Sequence, residues 1–420
     1  MILMERPQRT VLRATWLFDG TEATLKADPV VVLEGPKITS VALGSAAAAA
    51  AGLGVVVDLG DVTLLPGLVD THVHLGFDAS PDPVGSLQAR SDAQVLASMR
   101  EAGRTALAGG VTTVRDLGDW GYLSLGLRGD ESMPTLVAAG PPITTAAGHC
   151  HFLGGVAAAG VKGVRAAVRQ HAENGVDVIK IMATGGQLTP GSHQHLAQFT
   201  ADELTAAVEE AHRQGLPITA HAHATAGIRN AVAAGVDGLE HASFWSEDGV
   251  DDPGDLIKLI AQKRIVVGAT VGLVPVADAM PPPAILKRAP AIIANTRRMQ
   301  QSGERVVAGT HAGIVPIQAP GPTSQAGRAR RDPGGPALRD RRSTAPRRVA
   351  RRLDLVPRRS LPHATACRSS CPRLSDGHPG WRACSNLLED VSPHCALRRG
   401  CEQQLSSAHF RHPAPDLALP

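Results

Sequence analysis

Residues 64–76 read LLPGLVDTHVHLG, and this stretch decides the fold. Pro66-Gly67 breaks the chain, and an apolar run then leads from Leu68 to two histidines, His72 and His74. Residues two apart on a strand share a face, so both imidazoles point the same way at the strand's end. Downstream the design repeats. Apolar strand candidates at 112–116, 135–139, 176–183, 218–221, 238–241, 265–270 and 305–309 alternate with helix-like stretches. In one of these, Thr200 and Glu203 form a capping box, and Gly215 with Pro217 ends the run. Strands alternating with helices predict a parallel α/β sheet, and eight strands over roughly 250 residues match the size of a (β/α)8 barrel. Upstream, residues 10–43 and 55–64 read as short strands, with the alanine run at 46–51 a loop or short helix.

In such a barrel the C-terminal strand ends form one rim, where active sites are built. Histidines and one lysine collect at those ends. His149 and His151 follow the third strand in GHCHFLGG, Lys180 sits inside VDVIKIMATGG, His221 and His223 end PITAHAH, His241 ends GLEH, and His311 follows RVVAGT. Imidazoles suit zinc and similar metals, which acidify a bound water to a pKa of about 7 and polarise a carbonyl. A lysine buried as an ammonium is costly, but as a carbamate made with carbon dioxide it is an anionic oxygen ligand able to bridge two metals. Each feature has a plainer reading. An H-x-H pair arises by chance, a single strand-end histidine is more often hydrogen-bonded than ligated, and Lys180 could snorkel to a strand end. The joint order, with each group ending a successive apolar strand, favours the metal.

Composition narrows the classes. Of 420 residues, 43% are hydrophobic and 19% charged, which fits a large soluble core; aromatics are 3% with one tyrosine, which argues against nucleic-acid binding by base stacking. No apolar window is long enough for a membrane span, and the opening MILMERPQRT lacks a secretory signal, so a cytoplasmic location is expected. The net charge of +3 hides an asymmetry: residues 316–420 hold 18 arginines, no lysine, eight acidic residues and five of the six cysteines. With few aliphatic residues and no clean period, 319–420 read as an Arg/Pro-rich tail that is disordered or the product of a shifted reading frame. Zinc binding by its cysteines, or an evolved arginine arm for polyanions, are the lesser readings of this segment.

The ordered motifs resemble the amidohydrolase superfamily of metal-dependent hydrolases. LLPGLVDTHVHLG looks like its first barrel strand, VIKIMATGG like its carbamylated-lysine strand, and AHAHATAGIRNAVAAGVDGLEHAS like the next two; GHCHFLGG and GGQLTPGSHQHLAQFTADEL point to the prolidase-like and imidazolonepropionase-related subgroup. The resemblance spans residues 10–318. It implies a TIM-type barrel over 66–318 with a small N-terminal β-sandwich part at 1–65, incomplete here. It also implies metal ligands at His72, His74, Lys180, His221 and His241, with Lys180 carbamylated, two divalent ions of which zinc fits best, and His149 and His223 near the substrate. His221 and His223 are both candidates to face the metal.

Two departures qualify this. The family carries a Gly-Thr-Asp-Ala-Gly type sequence after the eighth strand, whereas this chain has GTHAG, with His311 where the Asp takes the proton from water. An imidazole adds no negative charge, so weakened activity is expected. The second departure is the tail, which shows neither the helical region nor the strand that completes the sandwich. The resulting expectation is hydrolysis of an amide C–N bond in a small molecule, a dipeptide or N-acyl amino acid, with His311 and Lys180 in catalytic roles. The alternatives are a mononuclear imidazolone-type cyclic amide hydrolase or deaminase, whose relatives generally lack the lysine, and an impaired scaffold. No specific nucleic acid and no membrane are expected as partners; a homo-oligomer is compatible with this reading, though no residue pattern sets it.

Overall fold

A computed structural model of the chain describes residues 9–22, 24–44, 54–270, 283–314 and 366–368. The alanine run at 46–51, and the tail apart from 366–368, lie outside the described residues. The described residues fall into two units, one drawn from 1–32, 40–65 and 367–420 and the other from 33–39 and 66–366.

The N-terminal part of the chain forms short strands: β1 (Arg9–Arg13), β2 (Trp16–Leu17), β3 (Lys26–Ala27), β4 (Pro29–Glu34), β5 (Lys37–Leu43), β6 (Val55–Asp58) and β7 (Val62–Leu64). One sheet has the order β5-β4-β1-β6, with β1 and β6 parallel and Thr10 opposite Val55. Buried Val11, Val30 and Val32 pack together on it, as β-branched residues on a pleated face do. A second sheet places β2 between antiparallel β3 and parallel β7.

The larger unit holds eight parallel strands. β8 (Leu68–Val73), β9 (Val111–Asp116) and β10 (Thr135–Ala138) form one sheet. β11 (Ile179–Met182), β12 (Ile218–Ala224), β13 (Gly238–Trp245), β14 (Val266–Ala269) and β15 (Val306–Ala308) form another, each pairing with the next. Hydrogen bonds link the two sheets at both edges. Ile143 N–H donates to the Lys180 carbonyl at 2.8 Å, and Met182 N–H donates to the Ile143 carbonyl at 2.8 Å. On the other side His311 N–H donates to the His72 carbonyl at 2.8 Å, and His74 N–H to that of Ala312 at 2.9 Å.

Between the strands run α1 (Pro83–Ala89), α2 (Asp92–Ala108), α3 (Gly160–Glu173), α4 (Ala201–Arg213), α5 (Thr225–Ala234), α6 (Asp255–Gln262) and α7 (Pro283–Gln301). In α4 the expected capping box is present: the Thr200 hydroxyl accepts from Glu203 N–H, and the Glu203 carboxylate accepts from Thr200 N–H at 2.9 Å. Its buried stripe, Leu204, Ala207, Val208 and Ala211, has helical spacing and packs in one core with Ile179, Ile181, Ile218, Ala220 and Leu239 of the strands. Truncating a residue such as Leu204 to Ala in this core would cost about 2–5 kcal/mol. Every residue of β13 is buried, which explains the near-continuous apolar reading of this strand.

In the tail, the three residues Ala366–Arg368 form β16, which extends the second small sheet beside β7. An edge strand this short pairs through its backbone and leaves no period to read. Among the described residues, no helix is long and apolar enough to cross a membrane.

Candidate metal centre

Parallel strands bring their C-terminal ends to one side, and the histidines foreseen from the sequence gather there except His151, whose Nδ1 lies 3.0 Å from the Gly148 carbonyl. His72 ends β8 as a fully buried ring, and its Nδ1 lies 2.8 Å from Oε2 of Glu240. Nδ1 of His74 lies 3.1 Å from the Gly118 carbonyl. Both partners only accept, so both Nδ1 atoms carry the proton. Burial pushes His72 well below the usual imidazole range and His74 down to about 4, so neither ring takes a second proton at neutral pH. Each Nε2 is therefore a bare lone pair, and the two Nε2 atoms stand 3.3 Å apart.

His311 joins them. Its residue sits in the left-handed region at φ 58°, just beyond β15, and its ring centroid is 4.9 Å from that of His72 and 5.2 Å from that of His74. Ligand atoms of His72, His74 and His311 lie within 4.8 Å of one another. Asp70, two residues before His72, accepts from the Thr310 N–H at 2.9 Å and from its hydroxyl, and so anchors the turn that presents His311.

A second cluster stands on β12 and β13. His221, His223 and His241 also place ligand atoms within 4.8 Å of one another. His221 lies 3.1 Å through Nε2 from the Gly185 carbonyl, which leaves Nδ1 free to coordinate. Nδ1 of His241 lies 2.7 Å from the Thr270 hydroxyl, and its Nε2 is buried without a partner. His223, which the resemblance puts near the substrate and leaves as a candidate to face the metal, stands in this cluster. Its ring stacks on His241 at 4.5 Å, and its Nδ1 lies 2.7 Å from the Ser243 hydroxyl. The register of β12 against β13 shifts between Ala222 and Ala224, a bulge that re-aims the strand end where His223 sits.

Lys180 on β11 is 1% exposed, and its Nζ has no hydrogen-bond partner. Burial lowers its amine from the usual lysine range to about 8. Its charge contributes to holding down His72, His74, His221, His223 and His311. An unpartnered buried amine next to imidazoles is a group waiting for an electrophile or a cation. His149 has a buried, unpartnered Nδ1, and its ring centroid is 4.7 Å from that of His221. It rests against Gly186, where a Cβ would stand 2.3 Å from Nε2 of the ring.

The orphaned atoms fit a cation. Lone pairs on buried imidazole nitrogens, with no donor to meet them, are the donor set that zinc and its neighbours take. Sequence reasoning missed Glu240 and Arg115. The signal for Glu240 was present, since GLEH places an acid inside an otherwise apolar strand.

Against known proteins, the amidohydrolase family (Amidohydro_1) matches residues 63–318. The chain belongs to the amidohydrolase family. Ochratoxinase of Aspergillus niger is 32% identical over 238 residues, covering 49% of this amidohydrolase and 47% of the relative. The chain thus spans about half the length of the curated relatives it matches. Among solved structures, a Xaa-Pro dipeptidase with bound methionine in the active site is similar at a TM-score of 0.62 and 26% identity, over 74% of this chain and 81% of that one. The A. niger ochratoxinase structure, at a TM-score of 0.60 and 24% identity over 77% and 78%, shares the fold.

Proposed function

We infer that this amidohydrolase is a metal-dependent enzyme that cleaves an amide C–N bond in a small molecule, a dipeptide or an N-acyl amino acid. The observation that carries the reading is the pair of proton-free Nε2 atoms of His72 and His74, 3.3 Å apart. Two acceptor nitrogens that close call for a cation.

In this reading the two parallel sheets make one (β/α)8 barrel over residues 66–318, supported by the hydrogen bonds at both edges and by the shared fold of the solved relatives. His72 and His74 would hold one divalent ion, with His311 beside them. Lys180, His221 and His241 would hold a second, with His223 beside them. Zinc suits so many imidazoles, and a Lys180 carbamate would supply the anionic oxygen. Forming it joins the amine nitrogen to the carbon of carbon dioxide and releases one proton, for which the neutral amine favoured by burial is the reactive form. Metal bound there supplies a Lewis acid that polarises the scissile carbonyl and acidifies water.

The chain's own groups do the rest. The unpartnered Nδ1 of His149 is placed to hydrogen-bond a substrate group, as is His223 if it is not a ligand. His311 stands where a proton leaves water and moves toward the leaving amine. Burial keeps its ring well below the usual imidazole range, so it is a weak base. That favours a second reading, a barrel that binds metal but turns over slowly. The dipeptide class rests on the likeness to a Xaa-Pro dipeptidase.

The test is elemental analysis of the full chain, with hydrolysis of a dipeptide and N-acyl amino acid panel before and after chelation. Two ions per chain and turnover lost on chelation are expected. Equal turnover by metal-free chain overturns the reading, and one ion per chain favours the mononuclear cyclic amide hydrolase or deaminase.

A further inference from the structure

We propose that Glu240 is a positioning residue of this centre: its carboxylate holds the His72 ring, through Nδ1, in the tautomer and orientation that turn Nε2 into the pocket. This rests on the reading of His72 as a metal ligand. Glu240 is fully buried on β13, directly before His241. Its Oε2 accepts from Nδ1 of His72 at 2.8 Å, and its Oε1 accepts from Nη2 of Arg115 at 2.7 Å and from the Thr219 hydroxyl at 2.7 Å. Four strands, β8, β9, β12 and β13, thus meet at one carboxylate. Arg115 also donates through Nε to the Thr71 carbonyl at 2.6 Å, which ties Glu240 to the backbone of the strand bearing His72.

Room for the carboxylate is set by Gly268 on β14, where a Cβ would stand 2.2 Å from Oε2. The Arg115 guanidinium stands against the carboxylate as the opposite charge a buried acid needs. An anionic acceptor makes a stronger hydrogen bond than a carbonyl and raises the basicity of the opposite ring nitrogen. His74 is held instead by the Gly118 carbonyl, 3.1 Å from its Nδ1.

A carboxylate that only pinned the strands together would affect folding and leave metal affinity alone, so affinity is the measurement that separates the roles. Zinc dissociation constants by chelator competition should be about 10- to 100-fold weaker in Glu240→Gln than in the unaltered chain. Thr219→Val, which removes one hydrogen bond and keeps the charge, should lose less. A folded Glu240→Gln chain with unchanged zinc affinity overturns the proposal. Nitrogen-15 shifts of the metal-free, unaltered chain give a second measurement independent of any variant: His72 should carry its proton on Nδ1. A proton on Nε2, or equal exchange between the two, overturns the proposal, and this measurement decides alone if Glu240→Gln fails to fold. If the unaltered chain binds no zinc, the metal reading falls, and the His72 tautomer still decides what Glu240 does.

Discussion

The Nε2 atoms of His72 and His74 face each other at 3.3 Å, while the Nδ1 of each ring is already committed to an acceptor, Glu240 for one and the Gly118 carbonyl for the other. Burial disfavours a second proton on either ring. Replacing both rings by alanine is expected to remove one ion per chain by elemental analysis and to bring hydrolysis to background. Unchanged metal content in the double variant would show that the gap is not a metal site.

His311 supplies a ring where a carboxylate base would serve better. His311→Asp is expected to raise kcat by about 10²-fold, since a well-matched base contributes 10²–10⁴-fold. Turnover measured on the same substrate panel checks this, and a variant no faster than the parent speaks against His311 as the limiting group.

Lys180 should separate folding from metal retention. Its buried Nζ has no partner, so Lys180→Met removes a desolvated amine at nearly equal volume. Stability of the metal-free chain in urea is expected to be unchanged or higher, while metal content falls. A large loss of metal-free stability would show that the amine has a structural partner after all.

Acid should unfold the metal-free chain early. Burial depresses His74 to about 4 and both His149 and His223 to about 3, so below the unfolded imidazole value of about 6.5 only the unfolded chain takes up those protons. Each such ring costs about 2 kcal/mol at pH 5. Asp70 and Asp119, raised by burial to about 6, act in the opposite sense between pH 6 and 4, but the buried imidazoles outnumber them. The urea midpoint is expected to be lower at pH 5 than at pH 7; an equal or higher midpoint would contradict the neutral, buried cluster.

Gly186 gives His149 its place. In Gly186→Ala the new Cβ, 2.3 Å from Nε2, must push the ring aside. Metal content should stay the same while kcat/KM falls about tenfold, the size of effect that a lost substrate hydrogen bond of about 1.4 kcal/mol gives. Loss of metal on this change would move His149 from the substrate to the ligands.

Much of the site was legible because its signals are local. The H-x-H of residues 72–74 and the lysine in an apolar strand depend on side-chain alternation along single strands, and the capping box at Thr200 depends on four residues. The position of His223 was not legible, because the register shift at Ala222 and Ala224 breaks the period by which a sequence assigns faces. Glu240 was overlooked because an acid in a buried strand has meaning only once its partners, from three other strands, are known.

The sequence alone determined the order of strands and helices, the strand ends that carry imidazoles, and the lysine among them, since each follows from hydrophobic period and residue chemistry within a short stretch. Only the tertiary structure decided which nitrogen of each ring is free, which histidines share a cluster, and that a carboxylate from β13 orients a ring on β8. Those facts depend on hydrogen bonds between residues as far apart in the chain as His72 and Glu240, and a one-dimensional pattern holds no record of such distances.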